Sequence, residues 1–279
     1  MACDTEAASL TKDLRSSIFE KMAEMAKRAV YLITGASSGI GLEMTKQLAA
    51  RGDKVFATCR ARASSGSGVD AISTIAGDVT VIEGIDMTDD AVGAPLRAAL
   101  EGVELDVVVH NAGSVNGTRA LSGMAVMGEQ KFDLVSMERM RAAFEVNTLG
   151  PLKVQQAVDG LMKAPGGKVV VISTGFASIG DNGSGGTYAY RTSKAAVNMV
   201  TKSMACDFKE RGVAVAAVAP GMLITEFGPG AEAMTKFGAK PVDQGVTRII
   251  EAIDGLQMET TGQFLMIPTA GGPAKEMPW

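Results

Sequence analysis

A single α/β domain, with helices on both faces of a doubly wound and mostly parallel sheet of seven strands, is predicted from three features of this sequence. Short apolar, β-branched runs alternate with helical patterns, as in βαβ units. The runs end in small or polar residues. No linker or internal repeat divides the 279 residues. We therefore expect one domain over residues 29–279, preceded by an N-terminal extension over residues 1–28 that is helical or disordered.

The first strand and helix of this pattern are joined by a glycine-rich turn. An apolar run from Val30 to Ile33 suits a buried strand, and Leu42 to Ala50 suits a helix that ends at Gly52. The connecting residues 34–41 read TGASSGIG. Glycines here allow a tight bend and the close approach of a pyrophosphate, although a ligand-free connection has the same pattern. The turn predicts a nucleotide site in a Rossmann fold, with the binding residues Gly35, Ser37, Ser38, Gly39, Ile40 and Gly41.

The residues after the second strand indicate which dinucleotide is bound. This strand, Lys54 to Thr58, is followed by Cys59 and Arg60, with no acid at the position where an NAD-binding fold holds the ribose 2′-hydroxyl. An arginine there suits the 2′-phosphate of NADP, whereas the alternative is an ordinary solvated charge. The sequence therefore favours NADP(H) over NAD(H).

The later strands are predicted to end at one common edge of the sheet. They cover residues 79–85, 105–109, 168–172, 213–218 and 264–267, between helices that include 91–101, about 136–162 and 242–253. Open α/β sheets bind ligands where the strand carboxyl ends collect. We expect Asp86, Asn111, Thr174, Tyr190 and Thr225 to converge there. The loops 114–131 and 226–240 should supply the pocket walls, and their shapes do not follow from the sequence.

Tyr190 and Lys194 are the candidates for proton chemistry. They are four residues apart in a predicted helix, so both side chains share one face, although such a pair is more often an ordinary surface pair. A phenol with a pKa of about 10 is a poor acid or base at neutral pH, whereas a nearby ammonium and an oxidised nicotinamide would lower that pKa. Tyr190 could then exchange a proton with a carbonyl or alcohol oxygen held by Thr174, while the cofactor exchanges hydride.

Together, these motifs resemble the short-chain dehydrogenase/reductase family. The matches keep the family's order across nearly all of residues 29–279 and are TGASSGIG at 34–41, DMT at 86–88, NAG at 111–113, Asn147, Tyr190 with Lys194, and Pro220-Gly221 through Thr225. Finer features, at 57–60, 178–182, 185–186, 188–194 and 278–279, are similar to the C-factor/Sniffer-type carbonyl reductases.

The resemblance implies an oxidoreductase that interconverts a ketone or aldehyde and an alcohol. Tyr190 is implied as the acid/base, Lys194 as the residue that binds the nicotinamide ribose and lowers the tyrosine pKa, and Asn147 as part of a water-mediated proton relay. Asp86 is expected near the adenine, with Leu223 and Thr225 near the carboxamide. The implied cofactor-binding residues beyond the turn are Arg60, Asp86, Met87, Asn111, Ala112, Gly113, Tyr190, Lys194, Pro220, Gly221, Leu223 and Thr225.

Two departures from the family pattern keep other interpretations open. Thr174 aligns with the usual catalytic serine and adds a methyl group, so a catalytically weak NADP-binding protein with a regulatory or signalling role is the main alternative. His110 replaces the more usual asparagine before Asn-Ala-Gly and is given no catalytic role. Residues 35–39 also match the G-x-S-x-G pattern of hydrolases, but the single histidine of the chain lies too early for the order that their triad requires.

Composition narrows the partners and the location. The net charge of −4 and pI near 5.2 argue against a general nucleic-acid surface and favour a small-molecule carbonyl or alcohol substrate. Three widely spaced cysteines without a C-x-x-C pair favour a reduced, cytoplasmic location and no metal site. No apolar run is long enough to span a membrane. Apolar residues on more than one face of the Tyr190 helix fit either burial or a homodimer or homotetramer interface.

Overall fold

The computed structural model describes residues 28–60, 68–115, 131–227 and 229–279. The predicted extension therefore lies outside the described residues except for Arg28, as does most of the predicted loop 114–131. In the part that is described, no helix has the length and apolar character needed to cross a membrane.

The predicted α/β architecture is confirmed, and the residues described form one sheet of eight strands. The strands are β1 (Val30–Ile33), β2 (Lys54–Thr58), β3 (Asp78–Ile82), β4 (Val107–His110), β5 (Lys168–Ile172), β6 (Ala214–Ala219), β7 (Phe264–Met266) and β8 (Lys275–Glu276). Their order across the sheet is β3-β2-β1-β4-β5-β6-β7-β8, and every pair is parallel except β7 with β8. The prediction of seven strands missed β8, because two exposed polar residues form no strand pattern.

Helices cover both faces of the sheet, each over its own apolar core. They are α1 (Gly39–Arg51), α2 (Gly68–Ser73), α3 (Gly93–Ala99), α4 (Met137–Phe144), α5 (Gly150–Val158), α6 (Tyr188–Asp207), α7 (Ala231–Lys236) and α8 (Val242–Asp254). On one face, Leu48 of α1 packs in a cluster with Ile249 of α8. On the other, Leu96 of α3 packs with Val154 of α5 and Val197 of α6. The helices that connect the parallel strands β1 to β7 return the chain to the same side, so the carboxyl ends of these strands collect at one edge.

The predicted helix over residues 136–162 is divided in the structure. A π-helical turn, Glu145–Leu149, separates α4 from α5, directly before the Gly150-Pro151 pair where a bend was expected. A Cβ atom at Gly150 would lie 2.7 Å from the Met87 Cβ, so glycine lets α5 approach the chain after β3. π-helical turns often occur at functional sites, and this one carries the buried Asn147.

Candidate active site

The glycine turn is fastened to the end of β4 by side-chain and main-chain hydrogen bonds. The hydroxyl of Thr34 accepts the N–H groups of Asn111 at 3.0 Å and Ala112 at 3.1 Å. In return, Nδ2 of Asn111 donates to the carbonyls of Thr34 and Gly35, both at 3.0 Å. A Cβ atom at Gly41 would lie only 2.5 Å from the Asn111 Nδ2. The two predicted motifs at 34–41 and 111–113 are therefore one structural unit.

The geometry of this unit fits a phosphate group. Gly35 has φ +67°, and a Cβ atom there would lie 2.8 Å from the Ala112 Cα, so only glycine leaves this backbone uncovered. Ser38 is extended and exposed at the N-cap of α1, and Gly39 begins the helix. The first turn of α1, Gly39 to Leu42, carries no acid that would repel an anion at the positive end of the helix dipole.

Arg60 and Asp86 lie together at the next position along the same edge. The chain after β2 pairs with the chain after β3 through the N–H of Ile85, which donates to the Cys59 carbonyl at 2.9 Å. Partial burial acts to raise the pKa of Asp86, but two hydrogen bonds from Thr88 and the charge of Arg60 outweigh it and lower that pKa. Arg60 is exposed, so its charge can meet a ligand.

Tyr190 and Thr174 face each other across the ends of α6 and β5. Thr174 caps the short 3₁₀ turn Gly175–Ala177 after β5, and its side chain is hydrogen-bonded to the Tyr190 phenol. Burial raises the pKa of Tyr190 to about 12, and the bond with Thr174 acts against that rise. For the chain alone, the pKa of Tyr190 is therefore raised, because desolvation of the phenolate exceeds the stabilisation that its protein neighbours provide. The predicted lowering also depends on the charge of an oxidised nicotinamide and stays a prediction.

The two hydroxyl residues at the end of β5 have separate surroundings. Ser173 is buried, and its hydroxyl donates to Oδ1 of Asn198 at 2.7 Å. Thr174 is half-buried and contacts Tyr190. The alignment of Thr174, rather than Ser173, with the family's serine therefore agrees with the geometry.

Lys194 and Asn147 meet beside Gly113. A Cβ atom at Gly113 would lie 3.4 Å from Oδ1 of Asn147 and 3.5 Å from Nζ of Lys194. Nζ of Lys194 donates to the Ile172 carbonyl at 2.7 Å, and burial lowers the pKa of this lysine to about 8. Asn147 donates to the Ser114 carbonyl at 2.7 Å and accepts the Ser114 N–H at 2.8 Å. The π-helical turn thus places the side-chain amide of Asn147 next to both the end of β4 and Lys194.

The segment after β6 brings Thr225 to the glycine turn. A Cβ atom at Gly39 would lie 3.7 Å from Cγ2 of Thr225, so this side chain lies over the start of α1. Gly221 has φ +74°, and a Cβ atom there would lie 2.7 Å from the Ile267 carbonyl oxygen. Pro220-Gly221 therefore turns the chain tightly against the residues after β7.

Two of the predicted cofactor residues direct their side chains into the cores. Met87 is 6% exposed and packs on Gly150, and Leu223 is 6% exposed and packs on Gly245 of α8. Leu223 also lines a cleft of about 250 Å³ between α8 and the loop after β7. The side chains of Met87 and Leu223 are therefore largely buried against α5 and α8.

His110 lies inside the protein rather than at the site. It is 1% exposed at the end of β4, with Nε2 3.0 Å from Oε1 of Gln155 on α5. Burial lowers the pKa of His110 to about 4, so the ring is neutral at physiological pH. This position agrees with the absence of a catalytic role in the sequence analysis.

The contacts of two neighbours of Tyr190 were not predicted from the sequence. The ring of Phe227 lies 5.8 Å from the Tyr190 ring, centroid to centroid. Arg191 is buried, and it donates to the carbonyls of Phe176 and Gly185 and to the Ser184 hydroxyl. Arg191 lies in the stretch 188–194 that resembles the carbonyl reductases, and Phe227 lies in the loop 226–240 that was expected to form a pocket wall, but neither residue was assigned a role of its own from the sequence.

A glycine turn of the dinucleotide-binding type, a tyrosine, a lysine and a hydroxyl side chain therefore lie at one edge of the sheet. Residues 29–235 match the family model described as short chain dehydrogenase, and the chain belongs to this family. A 1-hydroxy-2-glutathionyl-2-methyl-3-butene dehydrogenase of Rhodococcus sp. (strain AD45) is 35% identical over 238 residues, which cover 84% of this chain and 94% of that protein. The C-signal protein of Myxococcus xanthus is 32% identical over 177 residues, which cover 63% of this chain and 93% of that protein.

Solved structures share the fold. A short-chain dehydrogenase/reductase from Burkholderia multivorans with bound NADP superimposes with a TM-score of 0.71 at 26% identity, covering 90% of this chain and all of that one. Carbonyl reductase Sniffer of D. melanogaster superimposes with a TM-score of 0.72 at 24% identity and the same coverage. The predicted similarity to this group is thereby confirmed at the level of fold.

Proposed function

We propose that this protein is an NADPH-dependent oxidoreductase that reduces a ketone or aldehyde to an alcohol, or catalyses the reverse reaction, with Tyr190 as the general acid/base. The observation that carries the proposal is the hydrogen-bonded pair of Tyr190 and Thr174, placed at the sheet edge that also holds Lys194 and the glycine turn. Membership of the short-chain dehydrogenase family supports an oxidoreductase.

The residues present fit a bound NADP. Main-chain N–H groups at Ser38 to Gly41 would receive the pyrophosphate, and Arg60 would pair with the 2′-phosphate beside the adenine end at Asp86. Thr225 contacts this turn at Gly39, and Phe227, two residues later, contacts the ring of Tyr190. The bound NADP in the structure from B. multivorans supports the same choice of cofactor.

When bound, NADPH would supply the hydride for the carbonyl carbon. The chain's own residues supply the proton and the orientation. Because its pKa is about 12, Tyr190 is a neutral phenol at neutral pH and can donate its proton to the carbonyl oxygen as the C–H bond forms. Thr174 can hold the same oxygen by a second hydrogen bond and orient it.

Lys194 and Asn147 would support proton transfer by Tyr190. The Lys194 ammonium uses one donor on the Ile172 carbonyl, which leaves two N–H groups for the hydroxyls of a nicotinamide ribose. Its positive charge favours the phenolate left after proton transfer. Asn147 lies against Gly113 beside Lys194, and its side-chain amide is held by the main chain of Ser114; this supports the relay role that the family resemblance implies.

The test is NADPH consumption with a panel of small aldehydes and diketones, for wild type and for Tyr190→Phe. We expect a wild-type rate that falls about 100-fold or more in the variant, because general acid catalysis contributes that much. Tyr188→Phe is the matched control, since Tyr188 lies two residues away and packs on Phe132 rather than on Thr174.

A catalytically weak NADP-binding protein with a signalling role is the second candidate. The methyl group of Thr174 and the relative whose name is C-signal favour it. This candidate predicts NADPH binding without Tyr190-dependent turnover of any carbonyl in the panel, so the same experiment separates the two.

A further inference from the structure

The segment between Thr174 and Tyr190 is held from outside by the last residues of the described chain. The N–H groups of Ile179 and Gly180 donate to the carbonyl oxygen of Trp279 at 3.1 and 3.2 Å. A Cβ atom at Gly180 would lie 3.3 Å from Cβ of Pro278, so the two chains are in direct contact. The loop that leads from β5 to α6 therefore depends on residues about 100 positions later in the sequence.

Trp279 is itself anchored to the core. Its ring is stacked on Phe264 of β7, with centroids 5.4 Å apart and planes inclined by 27°, and Phe264 is fully buried. The ammonium of Lys202 lies 5.7 Å from the Trp279 ring and also donates to the Gly262 carbonyl at 2.8 Å. Lys202 is two helical turns beyond Lys194 on α6. Trp279 thus joins the loop to β7 and to the helix that carries Tyr190.

The antiparallel pair β7 and β8, together with Met277, also packs against Gly175, the residue after Thr174. A Cβ atom at Gly175 would lie 2.9 Å from Cε of Met266 and 3.9 Å from Cε of Met277. The Met277 N–H donates to the Phe264 carbonyl at 2.8 Å, which fixes the chain that ends in Trp279. The 3₁₀ turn Gly175–Ala177, which Thr174 begins, is therefore supported by β7 and by residues 277–279 together.

We infer that Trp279 is a positioning residue for the reaction: through its ring and its carbonyl oxygen, it holds the loop 175–180 so that the Thr174 hydroxyl meets the Tyr190 phenol. It acts through Thr174 and does not touch the reacting atoms. The inference rests on the proposed function for its effect on rate, and on the hydrogen bonds to Ile179 and Gly180 for its effect on the loop.

The kinetic test compares Trp279→Ala with Trp279→Phe. A loop that shifts by about 1 Å can slow a reaction by one to two orders of magnitude, so we expect kcat to fall about tenfold or more in Trp279→Ala. The glycine turn is untouched, so the KM for NADPH should stay within about twofold. Trp279→Phe keeps an aromatic ring against Phe264 and should restore most of kcat.

Leu256→Ala is the control for a general loss of stability. Leu256 is buried directly after the end of α8, close to Ile253. The Ile253 carbonyl accepts a hydrogen bond from Nζ of Lys168, the first residue of β5. Leu256 therefore lies at the opposite edge of the sheet from Thr174. A kcat that falls as much in Leu256→Ala as in Trp279→Ala, or that does not fall in Trp279→Ala, would overturn the inference.

Amide hydrogen exchange provides a second readout that needs no turnover. The amides of Ile179 and Gly180 should be protected in wild type and in Trp279→Phe, and should exchange at least about tenfold faster in Trp279→Ala. Unchanged exchange would overturn the inference whether or not the protein is a reductase. Conversely, a wild type with no Tyr190-dependent turnover would overturn the proposed function, while faster exchange in Trp279→Ala would still support the hold on the loop.

Discussion

Protonation of His110 should make the stability of this protein depend on pH. The ring is buried at the end of β4 against Gln155, and its pKa falls from the ordinary 6.5 to about 4. Within the described part of the chain, its Nδ1 atom has no hydrogen-bond partner that could stabilise a charged ring. Between pH 6.5 and pH 4 the unfolded chain therefore binds up to one proton more than the folded protein does, and the free energy of unfolding falls as the pH is lowered.

The size of this effect follows from the pKa shift. A shift of about 2.5 pKa units corresponds to about 3 kcal/mol in full, of which about 2 kcal/mol is lost between pH 7 and pH 5. Urea unfolding at these two pH values measures the loss, because the midpoint and slope give the free energy of unfolding. Carboxylates titrate in the same interval, so the useful quantity is the difference between wild type and a variant without the histidine.

His110→Asn provides that reference. Asparagine cannot take up a proton in this range, so the variant should lose about 2 kcal/mol less than wild type between pH 7 and pH 5, whatever its stability at pH 7. The reasoning would be refuted by equal losses in the two proteins, which would mean that His110 is protonated in the folded state at pH 5 or becomes exposed there.

Two further predictions concern the cofactor and the lysine. Arg60→Ala should weaken NADPH binding about tenfold and leave NADH binding unchanged, because only NADPH carries the 2′-phosphate. Titration of cofactor fluorescence measures both affinities. Equal affinities for the two cofactors in wild type, with no effect of the variant on either, would show that the assignment to NADP is wrong. The pKa of Lys194 is about 8. We therefore expect kcat/KM for carbonyl reduction to decline as the pH rises through 8 and the ammonium loses its charge. A flat profile from pH 7 to pH 10 would contradict a role for that charge.

Local patterns in the sequence were sufficient for most of the fold. The runs at Val30–Ile33, Lys54–Thr58 and Lys168–Ile172 have the predicted bounds, because short, mostly apolar runs with β-branched residues suit strands buried on both faces. The third strand ends at Ile82 rather than at residue 85, and α1 begins at Gly39, three residues earlier than predicted. Element ends depend on neighbouring chains, which the local pattern does not contain.

Site residues could be predicted from the sequence at positions where the local backbone geometry requires one particular residue type. Glycines at 35 and 41 and the amide of Asn111 follow from the close approach of two turns. Leu223 could not be placed, because the direction of a loop side chain depends on Gly245 in a helix more than 20 residues later. The raised pKa of Tyr190 likewise requires its burial, which only the folded structure defines.

The contact of Trp279 with the loop after β5 was missed for the same reason. Its partners Ile179 and Gly180 are about 100 residues away, and β8, which leads to it, is too short to give a strand pattern. The likeness at residues 278–279 to the carbonyl reductases marked the position without indicating what it contacts.

The rate of carbonyl-dependent NADPH oxidation by Tyr190→Phe, set against Tyr188→Phe at equal occupancy with NADPH, tests the central claim most directly. The account predicts that Tyr188→Phe reduces the carbonyl at nearly the wild-type rate and that Tyr190→Phe is slower by about 100-fold or more, because the phenol is the proton donor. Equal rates in the two variants would contradict the account.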